Sequence, residues 1–563
     1  MKKWSEKLKT SLEKDNGAVR QWNDLFFPDY KAHAFFRAIL ENEPQIDQFG
    51  KYLTAKRSAV TGVYSEVFLV IALIFRSFFQ INYEYVGQII SNPQNQILYT
   101  QFRRLSIKTN ISRSHLNVIK LLFSEIKDEF IQFIIHLEED YIAIQQQEVP
   151  AYYRATSLQK QEELVPGADR ILELVPWLRY FPNAIFEWEE NYSPIIMHKI
   201  FTWSRLQKLD GCMEIRNALH TEVSHSNTGF IYQGQLLGLI KKLPEKSKLY
   251  MFFKEIDRFV LEDSIAYGAR FLLHYNNSEA IILTMDSTSL KAQLDDPDLT
   301  LGRTERRTKK RTHKLHVICD GLGSPLWLYR CPGELNDQVG FKFYKRPLLR
   351  LKKVAEAEGR TLKWIALDAG FASLENLKWI REKMKINPIP WPKNNRSSKM
   401  RHLISLLEDL RRVFRQIKKE KGDFSPEGLL KDSRYSLKVS QIEAYCTSLL
   451  PSKTAYCQFI AEYLLEIGIH NWFTIYRRRA TIEGTFGILK TSYSLLRRSQ
   501  DQAVPVKGKK NVYKHSAWVI HAMQINALYR ILMLRDHIGQ LKPSLAFGLT
   551  MLELELGTEA SAE

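Results

Sequence analysis

The chain has 563 residues, enough for two to four folded domains, and 45% of them are hydrophobic, enough for sizeable cores. Its 81 Lys and Arg outnumber 62 Asp and Glu, a formal charge of +19. That excess points to a polyanionic partner, because each phosphate neutralised by a basic side chain releases condensed counterions, although an anionic membrane surface would satisfy charge alone. A spanning helix needs about 20 apolar residues, and the longest apolar stretch here is only Val67 to Phe75, closed by Arg76. It reads as a buried core helix. The opening MKKWSEKLKTSLEKD is charged throughout, without the apolar centre of a signal peptide. Cys212, Cys319, Cys331, Cys446 and Cys457 form no C-x-x-C pair, which reads against a disulfide framework or zinc module and for a reducing cytoplasm.

In chain order, residues 1–140 read as a helical, DNA-binding region. Glu66 to Leu105 carries apolar runs at helical spacing, interrupted by Asn82 and by Ser91-Asn92-Pro93. Short helices broken this way suit a helix-turn-helix or an ordinary helical bundle. Residues 141–275 read as a helical linking region, with amphipathic stretches at Leu236–Leu243 and Met251–Phe259.

The texture changes at Ala280. Ala280–Asp286 reads as a buried strand ending in a carboxylate. His313–Cys319 and Leu326–Tyr329 flank Asp320-Gly321-Leu322-Gly323, turn residues that favour a hairpin. Val339–Glu358 is helical in pattern, Leu362–Leu367 is a strand running into Asp368-Ala369-Gly370, and Leu374–Met384 is a helix. Ile386–Trp391 is a short edge strand, because it bears prolines. Three strands followed by alternating helices and strands predict a mixed sheet with helices on both faces. The sheet region is expected to span 276–391 and to resume over 471–540 after a mainly helical insertion at 392–470. In that insertion Leu403, Leu406, Leu410, Val413 and Ile417 line one face of a helix from Arg401 to Lys421. Arg411, Arg412, Arg415, Lys418 and Lys419 lie mostly on the other. Residues 541–563 read as a peripheral tail.

Three acids stand out by position: Asp286 and Asp368 at strand ends, and Glu483 on a late helix. Phosphodiester cleavage needs an activated water and a stabilised leaving oxygen, and two divalent ions held by carboxylates can supply both. If the two strands are neighbours, Asp286 and Asp368 lie side by side at the sheet edge. Each acid also has a bland reading: an Asx turn at Asp286, a helix-entry turn at Asp368, and a solvated helix glutamate at Glu483. The surroundings of Glu483 shift the balance. Tyr476, Arg479, Glu483 and Lys490 follow one another at offsets of three, four and seven residues, which places all four on one face of a helix. An acid flanked by cations and an aromatic suits a phosphate site, and an Arg479–Glu483 surface salt bridge is the alternative.

The pattern Y-x2-R-x3-E-x6-K resembles the signature of a large group of bacterial insertion-sequence transposases with a DDE active site. At ordinary residue usage, its chance occurrence in such a chain is on the order of one in a few hundred. Met285-Asp286-Ser287-Thr288, Pro332-Gly333-Glu334-Leu335-Asn336-Asp337 and Leu367-Asp368-Ala369-Gly370-Phe371 resemble the same family, in its order. The resemblance covers about 280–395 and 470–530. It departs from the family at Ala480, where a Trp is common, and in the helical rather than β-rich stretch 392–470.

The resemblance implies an α/β ribonuclease-H-like catalytic domain with Asp286, Asp368 and Glu483 as catalytic, metal-binding acids for Mg²⁺ or Mn²⁺, two ions in all. It implies Tyr476, Arg479 and Lys490 as the residues that hold phosphates at the element's end. The expected activity is cleavage of insertion-sequence ends and their joining to target DNA. The partners are then double-stranded DNA and at least a second copy of the chain, with no membrane, in a cytoplasmic, nucleoid-associated setting. The basic run Arg303 to Lys314 holds seven cations in twelve residues: Arg303, Arg306, Arg307, Lys309, Lys310, Arg311 and Lys314. It is expected to contact DNA rather than to be merely a solvated loop. Trp327 and Trp391 read as core, with stacking on an extruded base as the alternative. Gly484 and Gly487 each cost a helix about 1 kcal/mol relative to Ala, which close approach by sheet or DNA backbone would explain. Two other functions remain open at this point: a catalytically inactive DNA-binding relative, and a ribonuclease-H-like nuclease without strand transfer.

Overall fold

The computed structural model describes residues 4–12, 27, 29–56, 64–158, 171–186, 192–225, 229–232, 243–276, 280–293, 295–298, 300–303, 309–333, 335–394, 397–421, 426–497 and 503–534. Residues 236–242, Arg306, Arg307 and the tail 541–563, which carried expectations above, lie outside the described residues. The chain divides into two compact units, Met1–Asp263 with Leu528–Ile538, and Ser264–Ala527 with Gly539–Glu563.

Among the described residues the first unit is helical, apart from a two-stranded antiparallel ribbon of Glu222–His225 and Gly229–Tyr232. Its centre is the helix Glu66–Phe79, in which every residue from Phe68 to Phe78 is buried. Ser65 starts this helix by accepting a bond from the Phe68 amide. Gln80, in the left-handed conformation at φ 56°, stops it. Phe75 packs edge-on against Phe27, Phe35 and Phe102 with centroids 5.1, 5.7 and 5.8 Å away. The next helix, Tyr83–Ile90, leaves at 115°. No single helix among the described residues is long and apolar enough to cross a membrane. The stretch Met251–Phe259 is not one helix: Lys246–Glu255 ends at Ile256, and Arg258–His274 begins anew.

A buried charge cluster ties the first unit together. Glu173 meets Lys31 at 2.7 Å and Lys199 at 2.8 Å and accepts the Tyr141 hydroxyl at 2.9 Å. Burial would raise the Glu173 carboxyl, but the two ammonium groups outweigh it and hold it well below the usual range.

Among the described residues the second unit is built on a six-stranded mixed sheet. Its strands are β1 (Ala280–Lys291), β2 (Thr300–Arg303), β3 (Lys309–Asp320), β4 (Pro325–Pro332), β5 (Thr361–Leu367) and β6 (Asn387–Pro390). The order runs β2, β3, β1, β5, β6, with β4 also paired to β3. The pairs β1/β3, β2/β3 and β3/β4 are antiparallel, whereas β1/β5 and β5/β6 are parallel. Leu283, Thr284 and Met285 are consecutive and fully buried, so both faces of the central strand are covered. Proline-bearing β6 is the edge, as its missing amides require.

The helix expected over Val339–Glu358 is broken into Asp337–Gly340, a 3₁₀ turn at Phe341–Phe343, and α1 (Lys345–Ala357). Pro347 accounts for the restart, since its ring opposes the carbonyl four residues earlier. After α2 (Leu374–Trp379), which continues as a π turn over Ile380–Met384, and β6, the chain is helical. It forms α3 (Ser398–Lys421), a short helix Pro426–Leu430, α4 (Ser433–Leu449), α5 (Ala455–Ile467), α6 (Ile469–Arg477), α7 (Ala480–Ser492) and α8 (Lys509–Leu534). The buried seam of α3 is Leu403, Leu407, Leu410, Phe414 and Ile417. Leu406 and Val413, expected on that seam, flank it and are half-buried, because the seam alternates steps of four and three. Its Arg411, Arg412, Arg415, Lys418 and Lys419 are exposed.

On α8, Gln524 donates to the carbonyls of Ile265 and Pro325 at 3.1 and 2.9 Å. Gly268 has no Cβ to hold that side chain off. One turn earlier, burial pushes the His521 imidazole down to about 4.

Two outcomes follow for stability. Glu173→Ala leaves two buried ammonium groups without their acid and is expected to cost about 3–5 kcal/mol, read as a lowered unfolding temperature with Glu173→Gln less affected. His521 binds its proton more weakly folded than unfolded, so its stabilising contribution is complete above its unfolded pKa of roughly 6.5. It is lost as pH falls toward 4, with unfolding taking up about one proton in that window. Denaturant midpoints against pH should show this slope in the wild type and lack it in His521→Gln.

Candidate active site

The parallel register of β1 on β5 pairs Met285 with Leu367 and goes no further. Asp286 and Asp368 are the next residues on each strand, which sets the two acids side by side where the parallel pairing ends. The strand expected to stop at Asp286 nevertheless continues to Lys291, because β3 pairs with it from Leu283–Asp320 through Lys291–Thr312. Asp286 therefore has a fixed strand backbone, opposite Val317 of β3. Asp368 opens a turn in which the Phe371 amide bonds the Asp368 carbonyl at 3.0 Å, and Ser373 then caps α2.

The third acid comes from α7. The single helix expected from Tyr476 to Lys490 is two, α6 and α7, with Arg478 and Arg479 at the joint. There the amides of Arg478, Arg479, Thr481 and Ile482 bond carbonyls three residues back, which tightens the turn while the chain stays right-handed. Arg479 reaches all three acids from this joint. Its guanidinium lies 2.8 Å from Asp286, 3.0 Å from Glu483 and 3.7 Å from Asp368. The Arg479 and Asp286 side chains are about as buried as each other, at 15% and 14% exposure, whereas Asp368 and Glu483 stay open at 43% and 62%.

Burial raises the Asp286 carboxyl to about 6, against the pull of Arg479 and the Ser287 amide, with Asp368 and Asp337 adding to the rise. Burial would lower Arg479, but Asp286 and its neighbours hold the guanidinium above its ordinary value. Three carboxylates around one cation are a donor set of the hard oxygen type that divalent ions take. Among the described residues no group of three or more His, Cys, Asp or Glu is placed to hold a metal as it stands.

A fourth acid, Asp337, borders the site and had not been singled out as a functional residue, although it closes the stretch Pro332–Asp337. It accepts from the Ser287 hydroxyl at 2.9 Å and pairs with Lys314 at 2.6 Å. Gly370, two residues after Asp368, leaves room for it: a Cβ there would stand 3.0 Å from an Asp337 carboxylate oxygen. Behind Asp286, the Tyr344 hydroxyl bonds its carbonyl at 3.3 Å. Tyr344 and Phe371 pack edge-on against buried His316, which burial pushes down to about 3.

The height of α7 over the sheet is set by the β3–β4 hairpin. Asp320 accepts the Leu322 and Ser324 amides at 3.0 and 2.7 Å and shapes the turn. Gly323 takes φ +89° there, with the Thr485 hydroxyl 3.1 Å from where a Cβ would be. That hydroxyl donates to the Gly323 carbonyl at 2.6 Å, two residues from Glu483. Gly487, on the exposed side one turn beyond Glu483, has nothing within 4 Å of a built Cβ. Packing against the sheet therefore does not explain that glycine.

The other expected residues are placed as follows. Tyr476 is buried, stacked on Trp472 at 5.3 Å and tilted against Trp391 at 5.1 Å, forming an aromatic wall behind Arg479. Lys490 lies on α7, half-buried and about 10 Å along the axis from Glu483. Trp327 is buried under Arg350, so it serves the core. The described ends of the basic run lie in paired strands: Arg303 of β2 pairs with Lys309 of β3, with Lys310 opposite Gly302 and Arg311 opposite Leu301. Lys314, at its end, points into the site as the partner of Asp337.

No curated protein and no solved structure matches the chain. Residues 277–502, the stretch that holds the sheet, all three acids and Arg479, match the family model described as the transposase DDE domain, which supports a DDE-type transposase and implies a ribonuclease-H-like fold for this part of the chain.

Proposed function

We propose that the chain is a DNA transposase of the Y-x2-R-x3-E-x6-K group, which hydrolyses the phosphodiester at the ends of an insertion sequence and joins the freed 3′-hydroxyls to target DNA. The observation that carries this reading is the convergence of Asp286, Asp368 and Glu483 on one guanidinium, at the end of the β1–β5 pairing. Asp286, Asp368 and Glu483 would hold Mg²⁺ or Mn²⁺, two ions in this reading. Ions held there supply Lewis acidity to the scissile phosphate and lower the pKa of an attacking water.

The chain's own residues do the rest. Asp286, rigid within a strand, and Asp368, on a turn locked by Ser373, fix the carboxylates against one side of the phosphate. Arg479 offers a planar fork to phosphate oxygens, and Lys490 offers a second charge farther along α7. Tyr476, held by two tryptophans, gives that fork a stiff backing. The open space at Gly487 suits close approach of a DNA backbone along the exposed face of α7.

The paired strands bearing Arg303, Lys309, Lys310 and Arg311, with Arg306 and Arg307 between them in sequence, would extend the cationic track, as would the exposed arginines and lysines of α3. We assign residues 1–140 to DNA binding, 141–275 to linking, 276–391 and 471–540 to catalysis, and 392–470 to a helical insertion. The bend of 115° between Glu66–Phe79 and Tyr83–Ile90 lies in the range of helix-turn-helix pairs. Cutting two ends together calls for at least two copies of the chain on DNA.

The test is Mg²⁺- or Mn²⁺-dependent cleavage and joining of DNA that borders the coding sequence. Wild type is expected to cut at a defined end and yield joined product. Glu483→Ala should reduce both by about 10³-fold or more while DNA binding stays within a few-fold. Cutting retained by Glu483→Ala would remove that acid from the site. Binding without cutting under either metal would assign the chain as a DNA-binding relative, and cutting without joined product would make it a nuclease.

A further inference from the structure

We infer that Arg479 occupies the place of the divalent ions until a DNA phosphate draws it away, so that cation binding and DNA binding at this site are positively coupled. The inference rests on the reading of Asp286, Asp368 and Glu483 as the ion-binding acids, and deepens it.

Two observations and two general properties of charge carry it. One guanidinium lies within 3.7 Å of all three acids, so no oxygen-lined space between them is free of its charge. A divalent ion entering there would sit a few ångströms from a fixed positive charge in a partly buried site, where repulsion is far stronger than in water. Arginine does not deprotonate in proteins, so the guanidinium leaves only by moving toward another anion. Finally, its Nε is buried and finds no acceptor among the described residues, so the three acids use the fork incompletely. A phosphodiester offers paired oxygens to such a fork and would satisfy donors that the acids leave unused.

The position of Arg479 permits the exchange. It stands at the joint of α6 and α7, where bonds to the third residue back replace the regular helical ladder. A change of side-chain direction there leaves both helices intact. Glu483 and Asp368 are exposed enough to meet an incoming ligand. Once the guanidinium is on a phosphate, the three carboxylates lose their only shared cation among the described residues, and their mutual repulsion favours an ion. Linkage makes the effect reciprocal: DNA tightens cation binding by the factor with which the cation tightens DNA binding. The chemistry is thereby withheld until an end is seated.

The experiment is calorimetric titration of Mn²⁺ into the full chain, as wild type, Arg479→Gln, Asp286→Asn and Arg479→Gln with Asp286→Asn. Lys353→Gln, the loss of an exposed cation on α1, serves as the charge-matched control. Without DNA, Arg479→Gln is expected to bind Mn²⁺ about tenfold more tightly than wild type or more. Adding Asp286→Asn should abolish that gain, and Lys353→Gln should change affinity less than about twofold. A duplex of the DNA bordering the coding sequence should tighten Mn²⁺ binding to wild type by a similar factor. This arm needs no variant and stands if Arg479→Gln misfolds. Equal Mn²⁺ affinities in wild type and Arg479→Gln, both lost in Asp286→Asn, would overturn the coupling and leave the ion site in place. A wild-type affinity indifferent to the duplex would overturn it too. Absence of any Asp286-dependent Mn²⁺ binding, with or without DNA, would overturn both the coupling and the reading on which it rests.

Discussion

The end of one parallel strand pairing governs this site. β1 and β5 share a register through Met285 and Leu367, and past that point the two chains part: β1 keeps its other neighbour, β3, while β5 turns away. Two carboxylates leave the sheet at the same height because backbone hydrogen bonds hold them there. Side chains that would otherwise repel are thus forced together by a ladder they do not contribute to. Ligand sites in sheets with parallel strands form at such carboxyl ends, where connections diverge and leave a crevice.

That forced proximity sets the electrostatics of everything nearby. Burial raises the Asp286 carboxyl, and Asp368 and Asp337 add to the rise; Arg479 is the cation that opposes it. The hairpin tip contributes indirectly. Thr485, bonded to the Gly323 carbonyl, clamps α7 to the sheet, and so holds Glu483 at the reach of the same guanidinium. The fourth acid, Asp337, is bound to Lys314 and Ser287 rather than to Arg479, which leaves one cation for three carboxylates.

The first unit solves a related problem differently. Glu173 is buried between two lysines and a tyrosine hydroxyl, with 7% of its side chain exposed, and every charge has an opposite partner. The catalytic candidates are the reverse case: an excess of negative charge, with two of the three acids solvent-facing. Closed networks of the first kind hold structure, whereas open, unbalanced ones favour binding ions and phosphates.

Much of this was legible in the residues themselves. Strand periodicity and turn chemistry located β1, β3, β4, β5 and the edge strand β6, since apolar runs and the Asp-Gly-Leu-Gly turn act locally. The spacing of Tyr476, Arg479, Glu483 and Lys490 marked the late helix. Local signals could not show that α6 and α7 are separate, because three-residue bonds at Arg478 and Arg479 leave the helical periodicity almost unchanged. They could not show that Asp286 sits inside a longer strand, because Ser287–Lys291 are held in it by antiparallel pairing with His316–Thr312 of β3. Nor could they reveal that Asp337 joins the site, that Lys314 is spent on it, or that Arg479 meets three acids at once. Sequence determines which residues carry charge and how each short segment repeats; only the tertiary structure decides which of those charges lie within a few ångströms of one another, because register and packing bring together residues nearly 200 positions apart.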